Sequence, residues 1–180
     1  MKRFIQLIPL FALFVVTLIL APASHGQTAP GEGGILAAAS GRKDLYPAGA
    51  DAKKDIDNAV RHAATDHKRV LLVFGGNWCY DCHVLDQALH EGAAGKIMRD
   101  SFMLVHVDIG EADKNLDLAR KYKIPLEKGV PAVAVLNGEG ELLYSSGDGE
   151  FEAARVMMKK DLTAFLLHWQ EAKAPAIVKD

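Results

Sequence analysis

The feature that most constrains the fold is an unbroken apolar run, Val70-Leu71-Leu72-Val73-Phe74. It stops at Gly75-Gly76-Asn77 and is followed at once by Trp78-Cys79-Tyr80-Asp81-Cys82. A strand that is apolar at every residue has no side for water, which is the pattern of a parallel sheet covered by helices on both faces. Leu85 and Leu89 mark a helix directly after the cysteines, so the pair falls where a buried strand gives way to a helix.

The same alternation continues along the chain. A helix capped by Asp51 is expected to run to about His67, with Ile56, Val60 and Ala63 on one face. The helix after the cysteines should break near Gly92 and add a turn or two through Ile97 and Met98. A second strand is predicted from Phe102 to Asp108, then a helix with Leu116, Leu118 and Ala119 that ends near Tyr122. Ala132 to Leu136 is a third strand. Asn137-Gly138-Glu139-Gly140 is a turn, and Glu141 to Tyr144 pairs back as a hairpin. Phe151, Ala154, Met158, Leu162, Phe165, Leu166 and Trp169 recur at helical spacing, which predicts a last helix from Glu150 to Trp169 with this stripe in the core. The order is α-β-α-β-α-β-β-α. It predicts an α/β fold of three layers, α/β/α, about a central mixed sheet.

The flanks read differently. Lys2 and Arg3 precede a nearly continuous apolar run from Phe4 to Leu20, and Ala21-Pro22-Ala23 and Ser24-His25-Gly26 supply small residues. Residues 1–26 are therefore expected to be a secretory signal peptide, with an uncleaved anchor as the alternative, because roughly 17–20 apolar residues can just span a bilayer. Either reading puts the remainder in the periplasm or another extracytoplasmic space. Residues 27–50, rich in Gly, Ala and Pro, read as a flexible linker that docks late, near Leu45-Tyr46-Pro47. The globular domain is expected over 51–172, with a tail at 173–180. A net charge of −2, with Lys and Arg scattered, argues against nucleic acid as a partner.

Export sharpens the meaning of the cysteines, of which there are two. Three positions apart, they close a loop too small to restrict the unfolded chain much, so a structural staple explains them poorly. A reactive pair explains them better. A helix start offers unpaired N–H groups and partial positive charge, which favour the thiolate of Cys79 and can lower a cysteine pKa from about 8.5 to between roughly 3.5 and 7.5. Cys82, one helical turn later, lies within bonding reach, so Cys79 is expected to be the more exposed sulfur and Cys82 the more buried. Cys79 would attack a substrate disulfide and Cys82 would resolve the mixed disulfide. The dithiol carries two electrons itself, so neither organic cofactor nor metal is expected.

These residues resemble the thioredoxin superfamily over about Ala52 to Trp169, with Trp-Cys-x-x-Cys as the most specific part. Gly129-Val130-Pro131, just before the third strand, is a second match; the resemblance implies a cis proline facing the dithiol and a substrate-positioning role for Val130 and Pro131. Trp78 is expected to pack, shield the sulfurs and contact substrate. The chain departs from thioredoxins proper in having Val73 where they place a buried Asp, Leu104 where they carry a Lys, and a loop lengthened by Pro125-Leu126-Glu127-Lys128. It is more similar to exported thioredoxin-like proteins and to domains that pass electrons across the inner membrane.

Tyr80, Asp81 and His83 are expected to tune the sulfurs. The Asp81 carboxylate raises a thiol pKa by repulsion, and a protonated His83 offsets it. This leans the pair towards a reductant near thioredoxin's about −270 mV rather than the about −120 mV of strong oxidants. The implied partners are protein disulfides and, for a reductase, a membrane electron donor; the protein is expected to be monomeric. Two other readings compete, a copper chaperone using soft thiolates and a non-catalytic binding module with an inert bridge. Asp81 and His83 could equally be solvated surface, and His106 is expected to be a satisfied structural histidine.

Overall fold

The computed structural model describes residues 33–41 and 43–170. The signal peptide and tail expected from the sequence lie outside these residues, as do residues 27–32 and 42 of the expected linker. Among the described residues, no helix is long and apolar enough to cross a membrane.

Helix α1 (Ala52–Asp66) opens with Asp51 accepting a hydrogen bond from the Lys54 N–H and closes at His67 in the left-handed conformation. It leads into β1 (Arg69–Gly75), followed by α2 (Tyr80–His90), α3 (Gly92–Ser101) and β2 (Phe102–Asp108). The break between α2 and α3 falls at Glu91-Gly92, where Gly92 takes a φ of 55°, a conformation that suits a residue without a Cβ. Helix α4 (Leu116–Lys121) and a short 3₁₀ turn at Leu126–Lys128 precede the hairpin of β3 (Ala132–Leu136) and β4 (Leu142–Ser145). Asn137 holds that hairpin's turn by accepting from the N–H groups of Glu139 and Glu141. Helix α5 (Lys159–Trp169) ends the described chain.

The strand order is β2-β1-β3-β4, with β1 parallel to β2 and antiparallel to β3. Because β1 lies inside the sheet, both its faces need cover, and its apolar run divides by parity. Val70, Leu72 and Phe74 pack with α1 and α4; Leu71 and Val73 pack with α2, α3 and α5. Three layers result, as the sequence predicted.

The last helix begins later than expected. Residues from Glu150 form turns and a short 3₁₀ segment at Ala154–Val156, and the α-helix starts only at Lys159. The apolar stripe still goes inward, since Phe151, Ala154, Leu162 and Leu166 are all buried. What displaces the helix is competition for the backbone. The Arg155 N–H donates to Asp81, and the Met157 carbonyl accepts from the Leu36 N–H. Ile35 bridges Met158, and Gly34 accepts from the Lys159 N–H.

Those contacts draw in much of the stretch expected to be a linker. Leu36 and Tyr46 are buried, and residues 44–46 form a strap clasped by the Asn77 side chain.

Because Leu71 sits in the centre of β1 and supports the layer that carries α2, Leu71→Ala is expected to cost about 3 kcal/mol, within the range for deleting a buried leucine side chain. Urea unfolding checks this; a loss below about 1 kcal/mol would show that this position is not packed as described.

Candidate functional site

Strand β1 ends at Gly75, and four residues later Cys79 is the N-cap of α2. Its sulfur accepts a hydrogen bond from the Cys82 N–H at 3.1 Å, so a backbone donor of the helix start points at the sulfur. Cys79 and Cys82 are joined by a disulfide. Cys79 is 5% exposed and Cys82 1%, so Cys79 is the more open of two largely covered sulfurs.

The Val130–Pro131 bond is cis, and the Val130 carbonyl oxygen lies 3.5 Å from Cys79 Sγ. The sulfur of Cys79 thus sits between an N–H that favours a thiolate and a carbonyl that favours a thiol. Pro131 is buried behind Val130, which is half-buried beside the pair.

Trp78 and Tyr80 flank Cys79 with 49% and 48% of their surface exposed. The Trp78 indole N–H donates to the Gly110 carbonyl at 2.8 Å, which fixes the ring against the loop after β2. A Cβ at Gly76 would come within 2.6 Å of the same indole nitrogen, so glycine there is what lets the ring lie on the backbone.

Asp81 and His83 are not solvated. Asp81, 4% exposed, accepts from the Arg155 backbone N–H at 2.7 Å and from its guanidinium Nε at 3.1 Å, and forms an ion pair with Nη2. The carboxylate expected to repel the Cys79 thiolate is therefore largely neutralised by a cation, which removes the argument for a strongly reducing couple. His83 is buried, and its Nε2 lies 2.9 Å from the Asn77 carbonyl, so that nitrogen carries the proton and donates. It ties α2 to the loop before it rather than presenting charge to solvent.

Three contributors escaped the sequence reading of the site. Asn77 accepts from the N–H groups of Leu45 and Tyr46 and donates to Asp44 and the Tyr46 carbonyl, anchoring the strap directly beside the cysteines. Arg155 neutralises Asp81. Tyr46 is packed against Cys79 and Cys82; the apolar Leu-Tyr-Pro island in a Gly/Ala-rich stretch marked only where the segment docks, not that it docks at the cysteines.

His106 is not a fully satisfied histidine. Its Nε2 faces Asp86 Oδ1 at 3.2 Å but is not aligned as a hydrogen bond, and its ring meets the Tyr46 ring edge-on. Burial pushes the Asp86 carboxyl up, but His106, His90 and Lys43 outweigh it and hold the carboxyl below its usual range. Among the described residues, no group of three or more His, Cys, Asp or Glu side chains converges in a way that could hold a metal ion.

A family model described as thioredoxin-like matches residues 51–138. Among solved structures, the disulphide isomerase from Xylella fastidiosa Temecula1 is 34% identical, with a TM-score of 0.66 over 71% of this chain and 98% of that one. A thioredoxin from Thermus thermophilus is 16% identical, with a TM-score of 0.47 over 62% of this chain and 81% of that one. No curated protein matches the chain.

Arg155→Ala is expected to leave the buried Asp81 carboxylate short of its cation, lowering stability by about 2 kcal/mol. The uncompensated charge should also raise the Cys79 thiol pKa. Ultraviolet thiolate absorbance against pH reads the shift; an unchanged or lowered pKa would contradict the placement of this ion pair.

Proposed function

The chain belongs to the thioredoxin superfamily, and on that premise we propose that it is an extracytoplasmic thiol–disulfide oxidoreductase acting on protein substrates through Cys79 and Cys82. The observation that carries this reading is the Cys79 sulfur at the N-cap of α2, accepting from the Cys82 N–H, with the Val130 carbonyl 3.5 Å away. A sulfur so placed has a backbone donor to stabilise the thiolate that must attack.

The reaction has two displacements. The Cys79 thiolate attacks a substrate disulfide, one substrate sulfur leaves, and a mixed disulfide forms. The Cys82 thiolate then attacks Cys79, the second substrate sulfur leaves, and the Cys79–Cys82 bridge closes. Two electrons pass from the dithiol to the substrate, and the reverse sequence oxidises a substrate dithiol. Val130 and Pro131 provide the wall against which an extended substrate segment pairs, and the exposed Trp78 and Tyr80 rings give its side chains an apolar rest.

The apolar amino-terminal run supports an extracytoplasmic setting. There, a reductase needs electrons delivered by a membrane protein, whereas an oxidant needs them removed; the potential of the pair decides which partner it takes. With Asp81 paired to Arg155, that potential is set chiefly by the helix start and by the groups beneath Cys82.

Cys79→Ser is expected to abolish disulfide exchange, and Cys82→Ser to accumulate mixed disulfides with client proteins, read by non-reducing gels before and after reductant. A double Cys→Ser variant that keeps full binding to its partners would favour the binding-module reading. Tight Cu(I) binding by the reduced protein without turnover of a disulfide substrate would favour the copper-chaperone reading.

A further inference from the structure

The strongest feature not used by this mechanism lies under the disulfide. The Tyr46 hydroxyl is buried and has no hydrogen-bond partner among the described residues. A Cβ built at Gly75 would meet both Cys82 Sγ and Tyr46 Oη at 2.5 Å. The hydroxyl and the sulfur therefore border one space, the one that the missing side chain of Gly75 leaves open. Tyr46, Cys79 and Cys82 form one packed cluster.

The phenol is held there by design of the strap. Asn77 clasps the Tyr46 N–H and carbonyl, and His106 stands edge-on against the ring. Of the titratable groups around it, Asp86 lies on α2 and Asp108 and His106 on β2. None accepts a bond from the hydroxyl.

We propose that Tyr46 is a hydrogen-bond donor to the resolving sulfur, engaging Cys82 when the pair is reduced or when Cys79 is held in a mixed disulfide. This rests on the reading of Cys79 and Cys82 as an exchanging pair. Burial, with the Asp86 and Asp108 carboxylates adding, pushes the phenol far above an ordinary tyrosine, so it keeps its proton and acts only as a donor. In the resolving step the Cys82 thiolate attacks Cys79 Sγ, the Cys79–substrate bond breaks, and the departing substrate thiolate takes a proton from solvent. Tyr46 gives up no proton in this step. It stabilises the attacking thiolate, and once the bridge has closed it faces a disulfide sulfur, a weak acceptor.

The hydroxyl therefore favours the dithiol over the disulfide and raises the potential of the pair. Tyr46→Phe keeps the ring and removes only the oxygen. Equilibrated against glutathione, it is expected to favour the disulfide about tenfold more than the wild type, a potential lower by about 30 mV. Its resolution of a mixed disulfide should slow in parallel. If the wild type does not exchange with glutathione at all, the function proposed above fails. If the wild type exchanges and Tyr46→Phe differs from it by less than about twofold, the Tyr46 proposal alone fails. Should Tyr46→Phe not fold, a measurement on the wild type decides. The ζ-carbon resonance of Tyr46 should move between oxidised and reduced protein, and an unmoved resonance overturns the proposal.

Discussion

The hydrogen bond from the Cys82 N–H to the Cys79 sulfur is the contact on which the rest of the site depends. It exists because β1 is buried on both faces and ends at Gly75 in the middle of the sheet, from which α2 starts within a few residues. The first turn of a helix has N–H groups with no partner inside the helix, and here one of them meets a sulfur. Everything else either fixes that geometry or shields it. The Val130–Pro131 segment closes one side, Trp78 is pinned to Gly110, and His83 and Asn77 tie the preceding loop to the helix and to the strap.

Much of the fold was legible because it is written in short-range periodicity. The apolar run of β1, the hairpin turn at Asn137 and the break at Gly92 are local patterns, and the structure keeps them. The start of α5 was not legible for the opposite reason. Phe151, Ala154 and Met158 have helical spacing, yet the Arg155 N–H is taken by Asp81 and the Met157 carbonyl by Leu36, residues far away in sequence. Periodicity reported correctly that Phe151 and Ala154 go inward, and it could not report which donor takes which backbone group.

The candidate site divides in the same way. Cys79, Cys82, Val130 and Pro131 announce themselves by motif, and the structure brings them together. The polar surroundings do not. Val73, at the position where thioredoxins proper carry an Asp, is an apolar core residue, and Leu104 packs against that core. The polar groups on this side come instead from other elements: Tyr46 of the strap packs against both cysteines, His106 of β2 stands against its ring, and Asp86 of α2 faces His106. Asp81 looked like a charge acting on the sulfurs and is instead an ion-pair partner of Arg155 that helps set where α5 begins.

A single measurement addresses the central claim, that the start of α2 holds the Cys79 sulfur ionised and within reach of substrate. It is the alkylation rate of Cys79 in the reduced protein as a function of pH. The structure predicts fast modification of Cys79 before Cys82, with an apparent pKa clearly below the roughly 8.5 of a free cysteine. Slow alkylation of both thiols, with an apparent pKa at or above that value, would contradict it.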